Sequence, residues 1–178
     1  MSTERVELLP LTAADDDLVW AMLRLAAHAE DRSISELRGD PDLARYVDGW
    51  GRPGDSGVKA VDRSGAAVGA AWLRLWRADD RGYGYINEQT PELAIAVAAP
   101  YRGKGIGRRM LEALIRTATG SYATLSLSVR VDNPALRLYR HLGFKQLDGS
   151  AIADRAADTS ITMRLDLTGQ TRVPADGT

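Results

Sequence analysis

The segment Val97-Ala98-Ala99-Pro100-Tyr101-Arg102-Gly103-Lys104-Gly105-Ile106-Gly107 has the composition of an anion holder. An apolar run stops, and a basic, glycine-rich turn opens a helix. A helix that starts here leaves unpaired backbone N–H groups at its first turn. Their partial positive charge favours an anion, typically a phosphate. Gly103, Gly105 and Gly107 let the main chain approach that anion with no side chain between them. Arg102, Lys104, Arg108 and Arg109 add four cations, an excess that suits more than one phosphate.

Spacing separates the kinds of phosphate loop. A nucleoside-triphosphate loop requires Gly-Lys-Ser/Thr after its glycines, and none is present here. A dinucleotide fingerprint requires G-x-G-x-x-G and an acid about 20 residues further on. This chain has glycines at 103, 105 and 107, and its later segment is Thr124-Leu125-Ser126-Leu127, with no acid. The pattern present is Arg102-x-x-Gly105-x-Gly107. A glycine-rich strand-to-helix turn that binds nothing is the plain alternative.

The elements that must position this loop emerge from hydrophobic periodicity. Arg5–Leu11 is a strand, turned toward a sheet edge by Pro10. Thr12 with Asp15 forms a capping box for a helix whose face carries Leu18, Met22, Leu25 and Ala29. A second helix spans Ser35–Val47, interrupted near Gly39-Asp40-Pro41. Val58–Val61 and Ala67–Arg77 make a hairpin across Asp62-Arg63-Ser64-Gly65. Ala78–Gln89 is a polar loop, and Glu92–Val97 is the strand that feeds the glycine turn. Ile106, Met110, Leu111, Leu114, Ile115 and Ala118 stripe the next helix, which Gly120 stops. Ala123–Val129 is a strand. Asn133 and Pro134 read as N-cap and first position of a helix that reaches His141-Leu142. Phe144–Leu147 and Ser160–Leu167 complete the strands, and residues 168–178 read as a flexible tail.

Strand, helix, strand over residues 92–129 demands a parallel pair, whereas the early hairpin is antiparallel. The expected fold class is therefore α/β with a mixed sheet of about seven strands and helices on both faces. At 178 residues and 44% hydrophobic composition, one domain over residues 1–167 is expected. A net charge of −1 argues against nucleic acid or an anionic membrane as partner. No cysteine is present, which excludes disulfides, zinc–thiolate sites and a Cys nucleophile, and no metal is expected. Met1–Arg5 carries no apolar leader, so a soluble cytoplasmic protein is expected.

Two motifs together are similar to those of the GNAT superfamily, the general-control-related N-acetyltransferases, over roughly residues 5–167. One is Glu92-Leu93-Ala94-Ile95-Ala96-Val97 leading to Arg102–Gly107. The other runs from Val129 to Phe144 and holds Asn133, Tyr139, Gly143 and Phe144 at the spacing such enzymes show. The resemblance implies acetyl-CoA as acyl donor and a primary amine, on a small molecule or a peptide, as acceptor. It implies that Arg102, Gly103, Lys104, Gly105, Ile106, Gly107 and Arg108 hold the coenzyme A pyrophosphate. It implies that the Val97 N–H polarises the acetyl carbonyl while the adjacent backbone at Ala96 pairs with the pantetheine arm. It further implies that Asn133 contacts the same arm and that Tyr139 returns a proton to the departing thiolate. Homodimers are common among such proteins. A catalytically inactive acyl-CoA sensor or scaffold is the alternative reading.

The residues themselves leave some roles open. An amine must lose a proton before it attacks, and Glu92, on an otherwise apolar strand, is a carboxylate that could take it. Glu92 reads equally as a solvated carboxylate at a strand start. Glu88, in the polar loop, is a weaker rival. Tyr139 could be a core aromatic, and Asn133 could simply cap its helix. His28 and His141 read as structural. Trp50, Trp76, Tyr83 and Tyr85 sit in or beside loops that would rim an acceptor pocket.

Overall fold

The computed structural model describes residues 6–153 and 159–169. Most of the expected tail and the residues before Val6 lie outside them. Strand β1 (Glu7–Pro10) is followed by helices α1 (Asp16–Ala26), α2 (Ile34–Arg38) and α3 (Pro41–Ala44). Then come β2 (Ser56–Val61), β3 (Ala67–Arg74), β4 (Glu92–Val97), α4 (Ile106–Ala118), β5 (Thr124–Arg130), α5 (Leu136–His141), β6 (Lys145–Gln146), β7 (Ile152–Ala153) and β8 (Thr159–Asp166). The strands form one sheet in the order β1-β2-β3-β4-β5-β8-β6, with β7 also paired to β8. Among the described strand pairs β4–β5 alone is parallel. This is the mixed sheet expected.

Each sheet face carries its own core. Leu111, Leu114, Leu125, Leu127, Phe144 and Met163 bury α4 and α5 against one face. Val19, Trp20, Leu37, Val47 and Trp72 bury α1–α3 against the other. The Thr12 N–H donates to the Asp15 carboxylate at 2.8 Å, the capping interaction expected before α1.

Three expected boundaries move. The second helix is interrupted at Gly39-Asp40-Pro41 as expected, but its second part ends at Ala44 rather than Val47. Ser33 caps α2, and the Asp40 carboxylate accepts the Asp42 N–H at 3.2 Å to start α3 at Pro41. Strand β3 stops at Arg74 rather than Arg77, where the chain leaves β4. Helix α5 starts at Leu136 rather than Pro134, because Asn133 closes a turn of its own: its Oδ1 accepts the Ala135 N–H at 2.9 Å and its carbonyl accepts the Leu136 N–H at 3.0 Å.

A buried ion pair fixes the segment after α3. Arg74 and Asp55 are each 1% exposed and pair in a two-pronged arrangement at 3.0 and 2.6 Å. The same guanidinium donates to the Arg45 and Asp48 carbonyls at 2.9 and 2.8 Å. Those carbonyls bracket Tyr46 and Val47, so β3 holds the backbone on which Tyr46 rides. Removing one partner of such a pair leaves a buried charge uncompensated. Asp55→Ala should therefore lower unfolding free energy by ~3–5 kcal/mol in urea titration. Asp79→Ala, which breaks the exposed Arg77–Asp79 pair, should leave the midpoint unchanged.

Candidate active site

Strands β4 and β5 share a single register position, Glu92 opposite Ser126, sealed by the Ser126 N–H donating to the Pro91 carbonyl at 3.0 Å. Beyond it the strands part. On its other side β4 pairs with β3 along its whole length, Glu92 with Arg74 through Val97 with Gly69. The Ala98 N–H donates to the Val68 carbonyl at 2.8 Å, which sets the alternation of this ladder. Glu92, Ala94 and Ala96 therefore turn their backbone groups to β3. Leu93, Ile95 and Val97 turn theirs toward β5. Past the last bridge, the Ile95 and Val97 N–H groups point into the gap. Ala96, expected at the ligand, spends its backbone on β3. Arg102 Nε donates to the Val97 carbonyl at 2.9 Å, tying the glycine turn to the strand end.

That turn has the conformation its glycines permit. Gly103 and Gly105 have φ of 73° and 77°, and Gly105 is the residue before the first turn of α4. The first main-chain bond of α4 runs from the Arg109 N–H to the Gly105 carbonyl at 3.1 Å. The N–H groups of Ile106, Gly107 and Arg108 thus belong to the first turn, where helices have no internal acceptor. A Cβ on Gly107 would touch Val97 Cγ2 and Ile95 Cδ1 at 3.7 and 3.8 Å, so the helix start lies against the open strand end. The four cations do not share one role. Arg109 donates to the Val6 carbonyl at 3.0 Å and belongs to the fold. Arg102 is 3.8 Å from Glu30, Arg108 pairs with Glu112 at 2.7 Å, and Lys104 lies 5.2 Å from the Tyr101 ring centre.

A cleft of about 390 Å³ opens beside the parted strands, lined by Tyr46, Tyr83, Glu92, Ile95, Asn133 and Tyr139 among others. Glu92 and Tyr139, far apart in sequence, are both on its wall. Glu92 is 3% exposed, which overturns the solvated reading. It accepts three hydrogen bonds: from the Tyr46 hydroxyl at 2.8 Å, from Trp76 Nε1 at 2.7 Å and from the Gly84 N–H at 3.0 Å. Loss of water raises its pKa to about 7 against the pull of those three donors. The loop after β3 lies directly on it. A Cβ on Gly84 would fall 2.7 Å from the Leu127 carbonyl carbon and 2.9 Å from Glu92 Cδ, and one on Gly82 would strike Glu92 Oε2.

Tyr139 is 6% exposed and stands edge-on to Phe144 at 5.9 Å. Burial pushes its pKa up to about 12. Among the described residues none hydrogen-bonds its hydroxyl. Asn133 both turns the chain into α5 and lines the cleft. His28 also reaches the cleft wall, with a φ of 51°, while His141 ends α5 away from it. Of the loop aromatics expected to rim a pocket, Tyr83 lines the cleft, whereas Trp76 is buried and donates to Glu92. Trp50 instead donates to the Thr12 carbonyl at 2.8 Å. Glu88 accepts the Ala78 N–H at 2.9 Å and only closes its own loop. Tyr46 escapes a reading of the sequence: it sits in what reads as a helix, and its partner lies 46 residues away.

The chain belongs to the Acetyltransferase (GNAT) family, whose pattern it matches over residues 20–144. It is 29% identical over 147 residues to a mycothiol acetyltransferase of Nocardiopsis dassonvillei, covering 82% of this chain and 44% of that protein. It thus spans about half the length of the curated relatives it matches. Over 54 residues, 30% of the chain and 33% of the relative, it is 46% identical to the N-alpha-acetyltransferase RimI of Mycobacterium tuberculosis. Among solved structures, a phosphinothricin acetyltransferase from Sinorhizobium meliloti in complex with AcCoA shares the fold at a TM-score of 0.63 and 22% identity, covering 95% and 92% of the two chains.

Close approach at Gly84 leads to a direct test. Gly84→Ala should push the loop off β5, admit water to Glu92 and shift Trp76 fluorescence to the red, with a lower thermal midpoint. Gly39→Ala, whose added carbon meets only ordinary contacts at 3.6 Å, should change neither.

Proposed function

We propose that this chain transfers the acetyl group of acetyl-CoA directly to a primary amine. The observation that carries the reading is the parting of β4 from β5, which leads open main-chain donors from the glycine turn to a cleft holding both Glu92 and Tyr139. The acyl donor supplies a thioester carbonyl and a thiol leaving group. Gly103, Gly105, Ile106, Gly107 and Arg108 suit its pyrophosphate through backbone N–H groups, with Arg102 and Lys104 adding charge. Asn133 borders its arm.

Within this reading the parity of β4 refines the expected roles. Both residues meet the first turn of α4, but of the two only Ile95 lines the cleft with Glu92 and Tyr139. We assign the acetyl carbonyl to the Ile95 N–H and the arm nearer the phosphates to Val97. A fixed donor aimed at the charge that develops on that oxygen is worth ~3 kcal/mol. Glu92 takes the amine's surplus proton. Tyr139 gives its proton to the departing sulfur and recovers one from the attacking nitrogen, which must shed a second proton to become an amide. A thiolate shed in so buried a place is itself desolvated, so its proton affinity rises along with that of the phenol. Holding two reactants together supplies much of the remaining acceleration.

Relatives bearing the names of mycothiol and phosphinothricin acetyltransferases, and a spermidine N-acetyltransferase from Vibrio cholerae with a TM-score of 0.61, define the acceptor classes to screen. The panel is a polyamine, an aminoglycoside, an amino acid, a lysine side chain and a peptide N-terminus, read by free-thiol release. Coenzyme binding with no thiol released by any of them would favour the sensor. Among the described residues no helix is long and apolar enough to cross a membrane, and a cytoplasmic setting is part of the same proposal.

For an active acceptor the roles of both side chains can be measured. Glu92 works only when ionised, so kcat/KM should fall as pH drops through about 7. Glu92→Gln should lower the rate by ~10²-fold or more and abolish that acid limb. Tyr139→Phe should lower kcat by ~10²-fold while calorimetric affinity for acetyl-CoA stays at the wild-type value. Unchanged turnover would remove Tyr139 from the mechanism.

A further inference from the structure

We propose that Tyr46 is the group that relays the acceptor's proton to Glu92, a proposal that rests on the amine-acetylation reading above. Glu92 is enclosed by its own donors. Tyr46 and Gly84 occupy Oε1, Trp76 occupies Oε2, and the loop at Gly82–Gly84 lies across the carboxylate. Of the three donors only Tyr46 lines the cleft beside Glu92, so it is the donor an ammonium group arriving there can reach.

The three donors are not chemically equivalent. An indole N–H and a backbone N–H give a hydrogen bond but have no lone pair with which to receive a proton. A phenol hydroxyl both gives and receives. The Tyr46 oxygen donates to Glu92 at 2.8 Å and accepts the Tyr83 N–H at 2.7 Å, which uses one of its two lone pairs. The second is the only acceptor among the three groups that touch Glu92.

The hydroxyl is also held with unusual redundancy. The Tyr46 ring stands edge-on to Trp76 at 5.0 Å and stacks on Tyr83 at 6.4 Å. Trp72 Nε1 donates to the Tyr46 carbonyl at 3.2 Å, and Arg74 grips the carbonyls of Arg45 and Asp48. Here β3 and the loop after it both act to aim one oxygen at one carboxylate.

The step balances. One N–H bond of the ammonium breaks and its proton joins the Tyr46 oxygen. The Tyr46 O–H bond breaks and that proton joins Glu92 Oε1. The products are a neutral amine with its lone pair, a neutral tyrosine and a protonated Glu92. Burial beside Glu92 drives the Tyr46 pKa far up, so a free tyrosinate is not an intermediate and the two transfers are coupled.

The test uses the full chain, with the acceptor that gives the fastest wild-type thiol release, and Tyr46→Phe, which keeps the ring. At pH 7 the variant should lose ~10²-fold or more in kcat/KM. The loss should shrink at high pH, where the amine arrives already deprotonated. It should also be far smaller for an analogue of the same amine with a trifluoromethyl group on the amine-bearing carbon, which is neutral at pH 7. A structural defect would lose both acceptors and every pH alike. Such a uniform loss, or a wild-type pH profile in the variant, overturns the relay. In wild type, the rate in mixed H2O and D2O should curve as for two protons in flight, and a straight line overturns the relay even if the variant does not fold. Wild-type protein that releases no thiol with any amine sinks the acetylation reading, whereas an active wild type with an unaffected Tyr46→Phe sinks the relay alone.

Discussion

Two parallel strands that touch at one position and then diverge create an unusual shortage. Main-chain donors on the inner edge of β4 are carried into the interior with no strand to receive them, because β5 has already turned away past Ser126. Buried peptide groups without partners are costly. A fold keeps such an edge open only where something else supplies the acceptors. The rest of the molecule is arranged about that edge: β3 secures β4 from behind along six residues, and α4 begins against the Ile95 and Val97 side chains. The gap thus runs from a helix start rich in N–H donors to a cleft floored by a carboxylate.

The carboxylate owes its character to packing rather than to neighbouring charge. Trp76, Tyr46 and a doubled glycine loop take Glu92 out of water while giving it only neutral donors. Neutral donors temper the cost of ionisation without abolishing it, which leaves the group near neutrality instead of deeply acidic. An arginine in the place of Trp76 would have pulled it the other way. The nearest buried arginine, Arg74, spends its charge on Asp55 and its remaining donors on the chain around Tyr46. Strand β3 therefore supports the segment that bears Tyr46 and, at Arg74, pairs with β4 at Glu92.

Much of this is legible in the chain. The alternating glycines at 103, 105 and 107, the apolar stripe from Ile106 to Ala118 and the Tyr139-Gly143-Phe144 spacing are local signals, and local signals survive reading in one dimension. Other features depend on which way an element faces. Glu92 reads equally as a surface residue because nothing beside it announces that the loop at 82–84 folds back over it. Which of Ala96 and Ile95 opens to the gap is decided by the phase of the β3–β4 ladder, which no residue type encodes. Arg109 resembles a phosphate ligand among its basic neighbours, yet one helical step turns it to the Val6 carbonyl. Tyr46 is hidden for a different reason: the helix expected to carry it ends at Ala44, and its role exists only through a partner 46 residues away.

The open edge can be probed one amide at a time. Hydrogen exchange of backbone amides, followed by NMR with and without acetyl-CoA, distinguishes alternate residues of β4. Added acetyl-CoA should slow exchange at Ile95, Val97 and the Gly105–Arg108 turn, while Ala94 and Ala96, already bonded to β3, keep their rates. Equal rates at Ile95 and Val97 with and without the coenzyme would contradict the assignment of that edge as the binding surface.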